Sequence, residues 1–170
     1  LFFSADDGAH GRELWKSNGS EVGTVMAKDI WSPGTTHSTP AWLAPLGETL
    51  FFSADDGATG RELWKSTGTP AGTAVVYDLP WGGGLYPEQM TNVGSTIFFA
   101  ADDWGTNGRE LWKSDGSGVG TWMVKNIAPD NAHSWPEQLT DVNGTLFLRA
   151  EDGVHGSELW TSDGSEAGTV

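Results

Sequence analysis

The chain has 170 residues, no cysteine, 24 glycines and a formal charge of −14, from 23 acidic against 9 basic residues. Without cysteine there is no disulfide, thiolate metal site or cysteine nucleophile, and so acidic a surface repels phosphate backbones, which argues against nucleic acid as a partner. No stretch approaches the roughly 20 apolar residues of a spanning helix, so membrane insertion is not expected.

The predicted elements come as a repeat whose units start 49, 47 and 49 residues apart. The first unit, 1–49, opens on Leu1-Phe2-Phe3-Ser4-Ala5-Asp6-Asp7-Gly8 and runs through Glu13-Leu14-Trp15 to an Asn18-Gly19 turn. Trp31 and His37 follow in a long polar connection. The second, 50–96, repeats the opening at Leu50, has Glu62-Leu63-Trp64 and a Thr67-Gly68 turn, and carries Trp81 and Tyr86 in the same connection. The third, 97–145, inserts Trp104 after Asp103, has Glu110-Leu111-Trp112 and Asp115-Gly116, and carries His133 and Trp135. Its aromatic and β-branched segments predict four strands at 96–101, 109–114, 121–127 and 137–142. The fourth unit, 146–170, stops after the Asp163-Gly164 turn. The chain thus opens inside a unit and without Met, and is expected to be a mature segment or an excised piece; Leu1 to Asp7 show no basic signal-peptide start.

Asn-Gly and Asp-Gly accept positive φ cheaply and mark tight hairpins, so neighbouring strands should be antiparallel. A four-stranded antiparallel unit at this period predicts an all-β fold, a β-propeller of four-stranded blades, with about three and a half blades here. Each unit would be one blade, at 1–49, 50–96, 97–145 and, in part, 146–170. Closed propellers typically carry about 4 to 8 blades, so adjoining repeats or self-association should complete the ring.

The run Glu110-Leu111-Trp112-Lys113-Ser114-Asp115-Gly116-Ser117-Gly118-Val119-Gly120-Thr121 resembles the ELWxxDGTxxGT repeats of large secreted and surface proteins of bacteria. All four units carry the motif, with departures at Ser20, Ser117 and Ser165 for Thr, Thr67 for Asp and Ser157 for Arg. The resemblance implies an extracellular or cell-surface propeller-like module and names no substrate.

A residue present in every blade is most simply a packing element, which is the reading for Trp15, Trp64, Trp112 and Trp160. The Glu before each is an acceptor for backbone or Arg donors. The paired acids Asp6-Asp7, Asp55-Asp56, Asp102-Asp103 and Glu151-Asp152 admit two readings, Asx-turn capping of the first hairpin or calcium ligation. Adjacent carboxylates on a strand point to opposite faces, and the spacing is not that of an EF-hand, so calcium is the weaker reading and no other cofactor is expected. Arg12, Arg61 and Arg109 read as surface ion pairs rather than a carboxylate clamp.

The residues that differ between units carry the functional reading. Trp31, His37, Trp81, Tyr86, His133 and Trp135 sit on polar loops at one rim, where aromatic rings stack on sugars or on a protein anchor. No catalytic constellation stands out from the repeat. The expectation is a non-enzymatic recognition or scaffold module whose partner is a glycan or a surface protein, with carbohydrate favoured. The alternatives are part of a glycoside-acting enzyme and a purely structural spacer.

Overall fold

Fourteen short strands form four antiparallel sheets, and no helix occurs among the described residues, which in this computed structural model are 1–79, 83–105 and 107–170. The first sheet holds β1 (Phe2–Asp6), β2 (Arg12–Lys16) and β3 (Val25–Lys28). The second runs in order β4 (Ala41–Leu46), β5 (Thr49–Asp55), β6 (Arg61–Ser66) and β7 (Thr73–Tyr77). The third has β8 (Glu88–Val93), β9 (Thr96–Asp102), β10 (Arg109–Ser114) and β11 (Thr121–Lys125). The fourth has β12 (Glu137–Val142), β13 (Thr145–Glu151) and β14 (Ser157–Ser162).

The sheets are one strand out of phase with the sequence units expected at 1–49, 50–96, 97–145 and 146–170. The last strand of each unit pairs with the first strand of the next: β4 with β5, β8 with β9, β12 with β13. The cause is local. These pairs are joined by two-residue turns in which Gly47, Gly94, Asn143 and Gly144 take positive φ, the geometry a tight hairpin demands. The third and fourth strands of a unit are instead separated by a long loop, which carries the chain from one sheet to the next.

Alternation along each strand supplies two apolar faces, and the sheets stack in sequence on them. Phe2, Leu14 and Ala27 of the first sheet meet Leu50, Phe52 and Trp64 of the second. Phe51, Leu63 and Val76 meet Ile97, Phe99 and Trp112 of the third. Phe98, Leu111 and Val124 meet Leu146, Leu148 and Trp160 of the fourth. The strands β4, β8 and β12 adjoin one another along one side of this stack. They are called the inner strands below.

The constant motif is spent on the outer turns and the joints between sheets. Ser17, Ser66, Ser114 and Ser162 each share a hydroxyl–hydroxyl bond with the Thr seven residues on, at 2.7 to 2.8 Å. The same seryl oxygens accept the amides of Gly19, Gly68, Gly116 and Gly164. Lys65 and Lys113 donate to the carbonyls of Gly116 and Gly164 in the following unit, and so clasp one sheet to the next. Lys28 lies over the Trp64 ring at 5.7 Å, and Lys125 over Trp160 at 5.8 Å.

Candidate functional site

The loops that lead into the inner strands are built on the repeated glutamate. Glu13, Glu62 and Glu110 are buried. Glu13 accepts the amides of Ile30 and Ser38 and the Ser38 hydroxyl. Glu110 accepts those of Ile127 and Ala128 and the Ser134 hydroxyl, at 2.6 Å. In the second unit Leu85 stands where the serine would be, so Glu62 keeps the Leu85 amide but gains no hydroxyl, and its Oε1 is buried without a hydrogen bond. Burial pushes Glu62 up to about 8 and Glu110, with its extra donors, up to about 7. Backbone bonds then tie each loop onward: Ser38, Leu85 and Ser134 carbonyls accept the amides of Asp55, Asp102 and Glu151 in the next sheet.

Each loop ends in a tetrapeptide of one pattern: Thr39-Pro40-Ala41-Trp42, Tyr86-Pro87-Glu88-Gln89 and Trp135-Pro136-Glu137-Gln138. The first and last residue of every tetrapeptide is left-handed. Thr39, Tyr86 and Trp135 have φ of 44, 49 and 47°, and Trp42, Gln89 and Gln138 have 55, 56 and 57°. The last of these marks a bulge, where pairing skips between residues 41 and 44, 88 and 91, and 137 and 140. An arginine holds each tetrapeptide. Arg61 donates to the Thr39 carbonyl at 3.0 Å and to its hydroxyl. Arg109 donates to the Tyr86 carbonyl at 3.2 Å and lies 3.5 Å from Glu88. Arg149 pairs with Glu137 at 2.5 Å.

The aromatic residues expected at the rim divide into two kinds. Trp31 is half-buried and lies on the backbone of Gly57, where any Cβ would overlap the indole. His37 and His133 accept the amides of Arg12 and Arg109 at Nδ1, both at 2.8 Å, and so fasten their loops to the strand before. Asp6 and Asp102 stand 3.8 Å from those same nitrogens, but an Nδ1 that accepts an amide carries no proton, so these are not ion pairs. Gly84 replaces the histidine in the second unit, and a Cβ there would lie 2.6 Å from the Arg61 nitrogen. Trp81 lies outside the described residues.

Tyr86 and Trp135 are of the second kind, displayed outward at 36% and 49% exposure. Trp135 stacks on His133 with ring centroids 4.9 Å apart. Tyr86 meets Trp104 edge to face, 5.6 Å apart at 62°. Trp104 itself is 62% exposed and is mounted on the Asp102 carboxylate through its amide, at 2.7 Å. Sequence reasoning noticed Trp104 as an insertion and did not assign it a role. That it is unique to one unit was the available signal. The exposed Trp42, at 43%, was missed for want of any signal, since a bulge cannot be read from β4 alone.

The paired acids cap their own hairpins. Asp6, Asp55 and Asp102 accept the amide two residues on. Asp7, Asp56 and Asp152 each accept two amides, of residues 9 and 10, 58 and 59, and 154 and 155, while Asp103 accepts the Gly105 amide and the Asn107 side chain. His10 and His155 add a ring contact to Asp7 and Asp152 at 2.7 Å; the His10 ring and then the hairpin amides hold Asp7 down at about 2, the His155 amide and then its ring lower Asp152, and the facing carboxylates raise both histidines. Among the described residues no group of three or more His, Asp or Glu side chains is placed to hold a metal ion.

No family model, curated protein or solved structure matches the chain. The site's own geometry is therefore what bears on function.

Proposed function

We propose that the chain is a non-catalytic recognition module, an arc of β-propeller blades that binds carbohydrate through aromatic residues at the rim leading into the inner strands. The arc reading is supported by serial face-to-face stacking of three- and four-stranded antiparallel sheets, with β4, β8 and β12 adjoining on one side. An extracellular or cell-surface setting follows from the resemblance of the ELWxxDGT-type repeat.

The observation that carries the carbohydrate reading is the Trp104–Tyr86 pair. Two aromatic rings at 62° form a preorganised corner, and the apolar face of a pyranose stacks on such a ring at little entropic cost because the side chains are already fixed. The Glu88 carboxylate, 43% exposed on the same tetrapeptide as Tyr86, supplies acceptors for sugar hydroxyls, with the Arg109 guanidinium beside it. Glycan-array binding tests the reading, with Trp104→Ala expected to weaken every positive glycan by about tenfold, roughly one lost stacking contact. Unaltered binding by Trp104→Ala, or an array with no positive glycan, would refute it.

A further inference from the structure

The tetrapeptides place two exposed or half-exposed side chains at equivalent points of three adjoining sheets, and each pair combines one aromatic ring with one hydrogen-bonding group. The pairs are Trp42 with Thr39, Tyr86 with Gln89, and Trp135 with Gln138. In the first pair the ring occupies the last position and in the other two the first. Six non-glycine residues in left-handed backbone carry strain, of order 1 to 3 kcal/mol each where nothing offsets it. Glycine, or asparagine at some cost, relieves that strain where only the bend is needed. The chain instead keeps Thr, Trp, Tyr, Gln, Trp and Gln there, and commits an arginine to each tetrapeptide. Side chains so held are mounted for contact.

Three equivalent mounts in a row fit a ligand that is itself a row of equivalent groups. We propose that Trp42/Thr39, Tyr86/Gln89 and Trp135/Gln138 are three subsites for successive segments of one linear, neutral polysaccharide, with the Tyr86 subsite, reinforced by Trp104, as the anchor. Rings stack on sugar faces, and the amides and hydroxyl engage the sugar hydroxyls. The ligand is neutral because the chain's charge of −14 opposes an acidic polymer. The three subsites lie on successive adjoining strands β4, β8 and β12, so only a ligand long enough to run past all three strands engages all three. Once the anchor is occupied, each further subsite is met within the same complex, at an effective concentration far above that of free sugar.

This inference rests on the carbohydrate reading, and ligand length separates the two. Isothermal titration with ladders of β-1,4-linked gluco-, xylo-, manno- and chito-oligosaccharides, from one to eight sugars, should show affinity rising in two steps of about tenfold or more as the second and third subsites come within reach. Trp42→Asn and Trp135→Asn remove a ring while keeping a residue that tolerates left-handed backbone. Each should abolish one step for the long oligosaccharides, and a cooperative urea transition shows that the variant is folded. Affinity that is independent of length, with short sugars still bound, would overturn the row and leave the single Trp104–Tyr86 site standing. A Trp42→Asn variant that binds the longest ladder member as the parent does would overturn it too. No binding of any ladder member at millimolar concentration would remove both.

Discussion

Replacing Glu62 by glutamine should stabilise the protein at pH 8 and do little at pH 5. Burial raises the folded-state pKa of Glu62 from 4.5 to about 8. A raised folded pKa means that the folded chain holds its proton where the unfolded chain has lost it. The resulting stability is complete below pH 4.5 and is lost as pH climbs toward 8, at about 1.4 kcal/mol per pH unit. Over the full window the ceiling is about 5 kcal/mol, a large share of a typical 5 to 15 kcal/mol total, with the opposing effect of the Leu85 and Leu79 amides, which favour the ionised form, already contained in the raised pKa. Glutamine keeps the acceptor for the Leu85 amide and puts its NH2 where the unbonded Oε1 now sits, so the neutral shape is preserved. Glu110 is the control, because both of its oxygens receive donors and a glutamine NH2 would face one of them. Glu110→Gln should therefore destabilise at pH 5, where Glu62→Gln does little, and regain part of that loss toward pH 8 because Glu110 is itself raised to about 7. Urea midpoints at fixed protein concentration, at pH 5, 6, 7 and 8, measure the difference between parent and Glu62→Gln. The exposed pairs His10–Asp7 and His155–Asp152 titrate alike in both and cancel. Parallel stability curves from pH 5 to pH 8 would refute the assignment of Glu62 as a buried acid that resists ionisation.

Ser114→Ala removes the hydroxyl that bonds Thr121 and the Gly116 amide, and should cost about 1 kcal/mol of stability, read as a lower urea midpoint, because the part-buried Gly116 amide loses its acceptor while Thr121 keeps its bond to the Ser117 carbonyl. Leu159 is 74% exposed, whereas its counterparts Leu14, Leu63 and Leu111 are fully buried; this open sheet face should drive association, so light scattering should give a mass above 18.1 kDa that Leu159→Asp lowers, and a monodisperse parent monomer would exclude this. Calcium at millimolar concentration should raise the melting temperature no more than sodium at equal ionic strength, because among the described residues no three His, Asp or Glu side chains converge on one point.

The all-β antiparallel character was legible because the repeat fixes turn dipeptides and strand composition together. Asp115-Gly116 and Ser114-to-Thr121 say where a hairpin closes, and they do so whatever the rest of the chain does. Sheet membership was not legible, since β4 belongs to the unit that begins at Leu1 by sequence and to the sheet of Leu50 by pairing. What decides it is the length of the two links on either side, and the sequence unit begins at an arbitrary point in that cycle. At the site, Tyr86 and Trp135 could be found as variable aromatics on a polar loop. Trp42 could not, because one apolar residue in a strand looks the same whether it faces a core or a bulge turns it outward.

Ser157 is the one place where the arginine of the motif is missing, and the neighbouring strand makes good its absence. In the third sheet Arg109, at the start of β10, reaches Glu88. In the fourth, Ser157 stands at the start of β14 and Arg149 of β13, where the other units have Ser4, Ser53 and Ala100, reaches the equivalent Glu137. The guanidinium has changed its backbone position and kept its contact. Both Arg149 and Glu137 are nearly half exposed, and such pairs contribute about 1 kcal/mol or less to stability. Global stability is therefore a weak reason for the exchange, and the holding of the tetrapeptide between Trp135 and Gln138 is a better one. Arg149→Ser should leave the melting temperature nearly unchanged while amide exchange across residues 135–138 quickens by about fivefold, the equivalent of about 1 kcal/mol of local opening. Adding Ser157→Arg should restore the slow exchange by returning the fourth sheet to the pattern of the third. Exchange unchanged by Arg149→Ser, or still fast in the double variant, would show that the guanidinium does not hold the mount.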